Sequence, residues 1–144
     1  MSRKPMRVNK STLKELEQTW KRSREYGRGR DGFHEYLEAI YDSYAELRKT
    51  KGEAKNARRK IIKIKKLQKV RQDVHAIYVI IIASSEEDRR IQSRWAQALR
   101  YAWKWRKVRG DLRLGKFFKD NGGVAGCARK FSTEEKPELN RQLH

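Results

Sequence analysis

Leu13, Leu16 and Trp20 recur at spacings of three and four, the interval at which side chains share one face of an α-helix. Thr12 with Glu15 three residues later has the form of a capping box, so the pattern predicts a helix over 13–26. Beyond the basic loop GRGRDG, Phe33, Leu37, Ile40, Tyr44 and Leu47 alternate spacings of four and three, the seam that helices use to pack on one another. No Gly or Pro interrupts residues 53–109, which favours long helices there.

Two apolar patterns divide that stretch. Ala54, Ala57, Ile61 and Ile64 fall on one side of a helical projection. VHAIYVIIIA (74–83) then carries six β-branched residues in ten, the composition of a strand. A lone strand has no pairing partner, and no other window alternates β-branched residues, so one buried helix over about 53–83 is expected instead. A second long helix, about 85–108, opens at SSEED with Ser84 or Ser85 as N-cap and Glu87 or Asp88 three residues on. Its apolar arc gathers Ile91, Trp95, Ala98, Leu99, Ala102 and Trp105, and Ile80, Trp95 and Leu99 are expected in the core. Leu112, Leu114, Phe117 and Phe118, the terminator NGG and the segment VAGCARKF then predict a short C-terminal helical hairpin, with Asp111 as a cap.

The expected fold class is therefore all-α: a single-domain helical bundle with a basic N-terminal tail (1–10), a helical domain (11–131) and a polar C-terminal tail (132–144). A length of 144 residues suits one domain with its own core.

Charge changes the picture from a bundle to a bundle with a partner. Lys and Arg number 37 against 18 Asp and Glu, a formal charge of +19. Such an imbalance repels itself unless a polyanion relieves it. Four Trp, six Tyr and four Phe argue against a disordered electrostatic tail. The bias peaks between Lys51 and Arg71, where ten basic residues meet one Glu, and Lys55, Arg58, Arg59, Lys63, Lys65, Lys66 and Lys69 sweep the side opposite the apolar one. Solvated helix faces usually mix signs to gain i,i+4 pairs, and this one does not. The helix of 31–50 is the reverse, with five carboxylates and two basic residues, and is read as a solvated face or as counter-charge for the next helix.

In the 89–107 stretch the basic side gathers Arg89, Arg100, Lys104 and Lys107 with Ser93 and Gln97 among them. Arg94, Arg100, Tyr101 and Lys104 are the candidates for reading bases, since an Arg contacts guanine bidentately and an aromatic at the border of the basic arc can stack. Trp103 occupies a similar border position, where covering the rim of a core is the plainer role. A membrane-surface helix would show the same amphipathicity, but here the apolar arc has partners for burial within the chain, so no membrane partner is expected.

Catalytic and cofactor chemistry find little support. His34, His75 and His144 are scattered, so no nucleophile–base pair, catalytic residue or metal site is expected, and no cofactor is implied. Glu35, Glu38, Asp42 and Glu46 share helical spacing but lack a further ligand type. GDLRLGKF has the glycine and lysine spacing of a phosphate-binding loop, yet Phe117 stands where a magnesium-ligating hydroxyl belongs. The single Cys127 excludes an internal disulfide and suits a reducing compartment, and no apolar signal core opens the chain, so a cytoplasmic, nucleoid-associated location is expected.

GGVAGCARKF is similar to the opening half of helix-turn-helix modules in bacterial regulators, over ten residues only. Such a unit could run from 112 to 131, or begin at Val124 and take TEEKPELNRQL as its second helix, whose acids oppose phosphate. No residue roles carry over from it. The expectation is a non-enzymatic DNA-binding protein, a small regulator or accessory factor of a bacterium or mobile element. RNA binding, and a helical module that grips an acidic protein or self-associates through the 33–47 seam, remain the alternatives.

Overall fold

The structure, a computed structural model, describes residues 10–26, 33–67, 74–106 and 113–138. Seven α-helices and no strand occur among them: α1 Lys10–Tyr26, α2 His34–Arg48, α3 Glu53–Ile64, α4 Ala76–Ser84, α5 Arg89–Lys104, α6 Leu114–Asp120 and α7 Gly123–Ser132. The all-α class read from the sequence is the one observed. The chain divides into two compact units, Met1–Glu87 and Asp88–His144, each with its own core. Lys69, Lys107, Asp111 and His144 lie outside the described residues.

In the first unit α4 is the centre. Ala76, Ile77 and every residue from Val79 to Ser84 are buried, so the helix is apolar on all sides and is covered by α1, α2 and α3. Burial outweighs the strand preference of its β-branched residues, because no strand occurs among the described residues to pair with it. Leu13, Leu16 and Trp20 of α1 and Leu37, Ile40, Tyr44 and Leu47 of α2 are buried as their spacing predicts, and Tyr36 joins them. The seam of 33–47 is thus covered within the unit, apart from a half-buried Phe33 at its start.

The continuous helix expected over 53–83 is two helices. α3 ends at Ile64; Lys66 adopts φ 52°, and the Leu67 amide donates back to the Ile62 carbonyl at 3.0 Å. This is the left-handed stop usually built on glycine. A straight helix would hold the two apolar stretches in line and leave both uncovered, whereas the break lets α3 pack against α4 and bury Ala57 and Ile61. α4 restarts with His75 as its N-cap, the Ile77 amide donating to Nδ1 at 3.1 Å. With Nδ1 accepting, Nε2 carries the proton and donates to the Tyr44 hydroxyl at 3.3 Å, so His75 is a structural cap.

Other boundaries shift for local reasons. α1 starts at Lys10, which places Thr12 inside the first turn rather than at the cap. The serine hydroxyls of Ser84 and Ser85 donate to the carbonyls of Ile80 and Ile81, each at 2.7 Å, and so close α4 instead of opening α5. Asp88 caps α5, accepting from the Arg90 amide at 2.7 Å. The Tyr36 hydroxyl meets Ser84 Oγ at 2.6 Å, and burial pushes its ionisation well above the usual phenol range.

The second unit packs α5 against α7, with α6 completing the core. Trp95, Ala98, Leu99 and Ala102 are buried as expected, but Ile91 and Trp105 are half-buried, and Gln92, Ala96 and Tyr101 are buried in their place. The α6–α7 hairpin turns at Asn121 and Gly122, where Gly122 takes φ 85°. Phe117, the residue that spoiled the phosphate-loop spacing, is fully buried in α6. Asn121, 1% exposed, donates from Nδ2 to the Phe117 carbonyl at 2.9 Å and accepts at Oδ1 from Lys130 Nζ at 3.0 Å and the Glu138 amide at 2.7 Å. Together with Tyr101, whose hydroxyl donates to the Glu135 carbonyl at 2.8 Å, and a buried Pro137, this fastens residues 135–138 to the unit. They belong to the fold although their polarity reads as tail.

Candidate nucleic-acid interface

Ala57 and Ile61 anchor α3 inward, and that placement determines where its cations go. Lys55, Arg59 and Lys63 are exposed at spacings of four and so lie in one row on the outer side, with Lys66 exposed just past the end of the helix. Lys60 is exposed beside them. Two residues of the expected stripe leave it. Arg58 is half-buried and donates from a guanidinium nitrogen to the Val74 carbonyl at 3.2 Å, tying the end of the α3–α4 connection back onto α3. Lys65 forms an ion pair with Glu17 of α1. The acids of α2 do not supply this counter-charge: Glu35 pairs with Arg22 of α1 at 2.6 Å, and Glu46 with its neighbour Lys49 at 2.6 Å. The row on α3 thereby keeps its charge.

In the second unit the proposed base readers separate. Tyr101 is 1% exposed, with its hydroxyl bonded to Glu135 and its ring tilted against Phe117 at 5.6 Å, so it cannot stack on a base. Burial, helped by Cys127, Glu135 and Glu138, pushes its ionisation up to about 12. Trp103 is half-buried, and the Arg106 guanidinium lies over its ring at 3.7 Å. Arg100 is half-buried over the Phe131 ring at 4.9 Å. The tertiary packing that α5 needs has drawn all three into the protein. Lys104 is exposed near the Trp105 ring, and Arg94 is exposed on a different side of α5.

Arg94 belongs to a groove absent from the sequence reading. An open groove of about 680 Å³ runs beside the crossing of α5 and α7, where α7 presents the small residues Ala125 and Ala128. Arg89, Arg90, Ser93, Arg94 and Gln97 line it from α5; Ala125, Ala128, Arg129 and Ser132 line it from α7. Arg90 and Arg129 were invisible as site residues. Arg90 is one of many arginines in its helix, and Arg129 joins the others only through the α5–α7 packing. The basic arc of Arg89, Ser93 and Gln97 was the available signal, and it marks one wall.

Among the described residues, no group of three His, Cys, Asp or Glu converges on a metal-sized site. No helix there is long and apolar enough to cross a membrane. Cys127 is buried, its thiol pushed up to about 12 by burial and only partly offset by Lys130, so it is a core residue and a poor nucleophile. No protein family, curated protein or solved structure matches the chain.

Proposed function

We propose that this protein binds nucleic acid, with duplex DNA as its partner, through basic helical faces and without catalysis. The observation that carries the reading is the exposed row Lys55, Arg59 and Lys63 on α3, with Lys66 exposed just past its end, which keeps its charge while neighbouring Arg58 and Lys65 are tied into the fold. From 55 to 63 a helix rises about 12 Å. Phosphates on one strand of B-DNA advance about 3.4 Å along the axis each, so the row spans about three to four of them. A regular row of cations on a rigid helix suits a regular row of anions. The net charge of +19 supplies the long-range attraction.

Fluorescence anisotropy titrations on a labelled duplex, a single strand and a structured RNA, each across a salt series, test this. The logarithm of affinity for the duplex is expected to fall with the logarithm of salt by about 0.9 per phosphate neutralised. Changing Lys55, Arg59, Lys63 and Lys66 to Glu weakens binding with the far-ultraviolet circular dichroism unchanged. A salt slope near zero overturns the reading. Preference for the structured RNA, or full affinity in the four-residue variant, overturns its duplex and α3 parts respectively.

A further inference from the structure

We infer that the groove between α5 and α7 is a second binding site, which seats consecutive phosphates of the nucleic-acid backbone without reading bases. The inference rests on the nucleic-acid reading above and extends it to residues that the α3 row does not include. All four cations of the groove are arginines: Arg89, Arg90 and Arg94 on one wall and Arg129 on the other. Among the described residues none of the four has a carboxylate partner. This contrasts with Arg22, Arg24, Lys49 and Lys65, each of which meets a glutamate. Guanidinium forks hold phosphate oxygens through two parallel hydrogen bonds, which lysines cannot do, and the α3 row is mostly lysine.

The placement of the charges also calls for an anion. Arg89 and Arg90 occupy the first turn of α5 directly after its Asp88 cap, and so place two cations beside one carboxylate at the positive end of the helix dipole. Arg129 faces them from α7, which brings like charges together across the groove. An anion between the walls relieves both repulsions at once. The shape then selects the kind of anion. Small-molecule sites enclose most of their ligand, whereas this groove is open. No aromatic residue lines it, so there is no platform on which a base could stack. An open, arginine-walled track with small residues beside it fits a chain of phosphodiesters, which every sequence presents alike.

The full chain, bound to a short labelled duplex over a salt series, tests this with the double variant Arg94→Gln, Arg129→Gln. Both side chains are exposed, so the helices do not depend on them for burial. The salt slope is expected to fall by about two, one per arginine removed, and by the same amount on duplexes of unrelated sequence. The Arg94→Lys, Arg129→Lys variant retains the charge and recovers only part of the affinity. As a second measurement, the side-chain Nε–Hε signals of Arg94 and Arg129 in the native protein shift on adding duplex. Native protein that fails to bind any nucleic acid removes the underlying function. Native binding that is weakened by the α3 variant but unaltered in slope by the groove variant, with unmoved arginine signals, removes the groove alone. Sequence-dependent loss in the groove variant, or displacement of the duplex by polyglutamate at equal charge concentration, also overturns the assignment, the latter in favour of an acidic protein partner.

Discussion

A methyl group at Gly126 would stand 2.3 Å from the Asn121 carbonyl oxygen and 3.2 Å from its carbon, both backbone atoms. The Asn121 main chain cannot retreat easily, because its own side chain is bonded to the Phe117 carbonyl, Lys130 and the Glu138 amide. Gly126→Ala is therefore expected to cost about 1–3 kcal/mol through overpacking. Urea unfolding checks this, and an unchanged or raised midpoint would show that the α6–α7 turn gives way freely. Cys127 and Tyr101 offer a test by pH at the same scale. Burial raises the first from 9.0 to about 12 and the second from 10.0 to about 12. Below pH of about 9 both are protonated whether the chain is folded or unfolded, so their contribution is fully present. Between about 9 and 12 the unfolded chain sheds protons that the folded one keeps, and stability falls. Urea midpoints followed over that range decline less steeply in Cys127→Ala than in the native protein; identical declines would refute the assignment.

At the scale of the helix, periodicity reported the inward face of α2, on which α1, α3 and α4 all pack, and shifted that of α5. α2 is the clean case, with Leu37, Ile40, Tyr44 and Leu47 all buried as their spacing requires. α5 meets both α6 and α7, and its buried arc widens to take in Gln92, Ala96 and Tyr101 while Ile91 and Trp105 stay half-exposed. Trp95 lies in that arc on either reading and is 6% exposed. Trp95→Ala is accordingly expected to destabilise by about 3–5 kcal/mol. Chemical denaturation of the variant measures it, and a loss below about 1 kcal/mol would mean that the indole merely lies on the surface. The break between α3 and α4 marks the limit of such reasoning. No Gly or Pro announces it, and Lys66 takes the left-handed stop because packing α3 onto α4 outweighs the cost of that conformation, about 1 kcal/mol.

Across the whole molecule, composition and local pattern were enough to determine an all-helical fold, the inward faces of α1, α2 and α4, and an excess of positive charge. These follow from properties that add up residue by residue: periodicity, propensity and formal charge. The identity of the free cations does not add up in that way. Arg58, Lys65 and Arg100 looked equivalent to Arg59, Lys63 and Arg94 along the chain. Only the fold turned the first three toward Val74, Glu17 and Phe131 and left the others outside. Tyr101 was drawn inward by the same rule, since its hydroxyl finds the Glu135 carbonyl and its ring finds Phe117. The α5–α7 groove is the furthest from sequence of all. Arg129 is separated from Arg94 by 35 positions, and nothing local relates them. They share a groove because α5 and α7 pack on each other with the small Ala125 and Ala128 beside the arginines, and such an approach is a property of surfaces in contact, which a linear pattern does not contain.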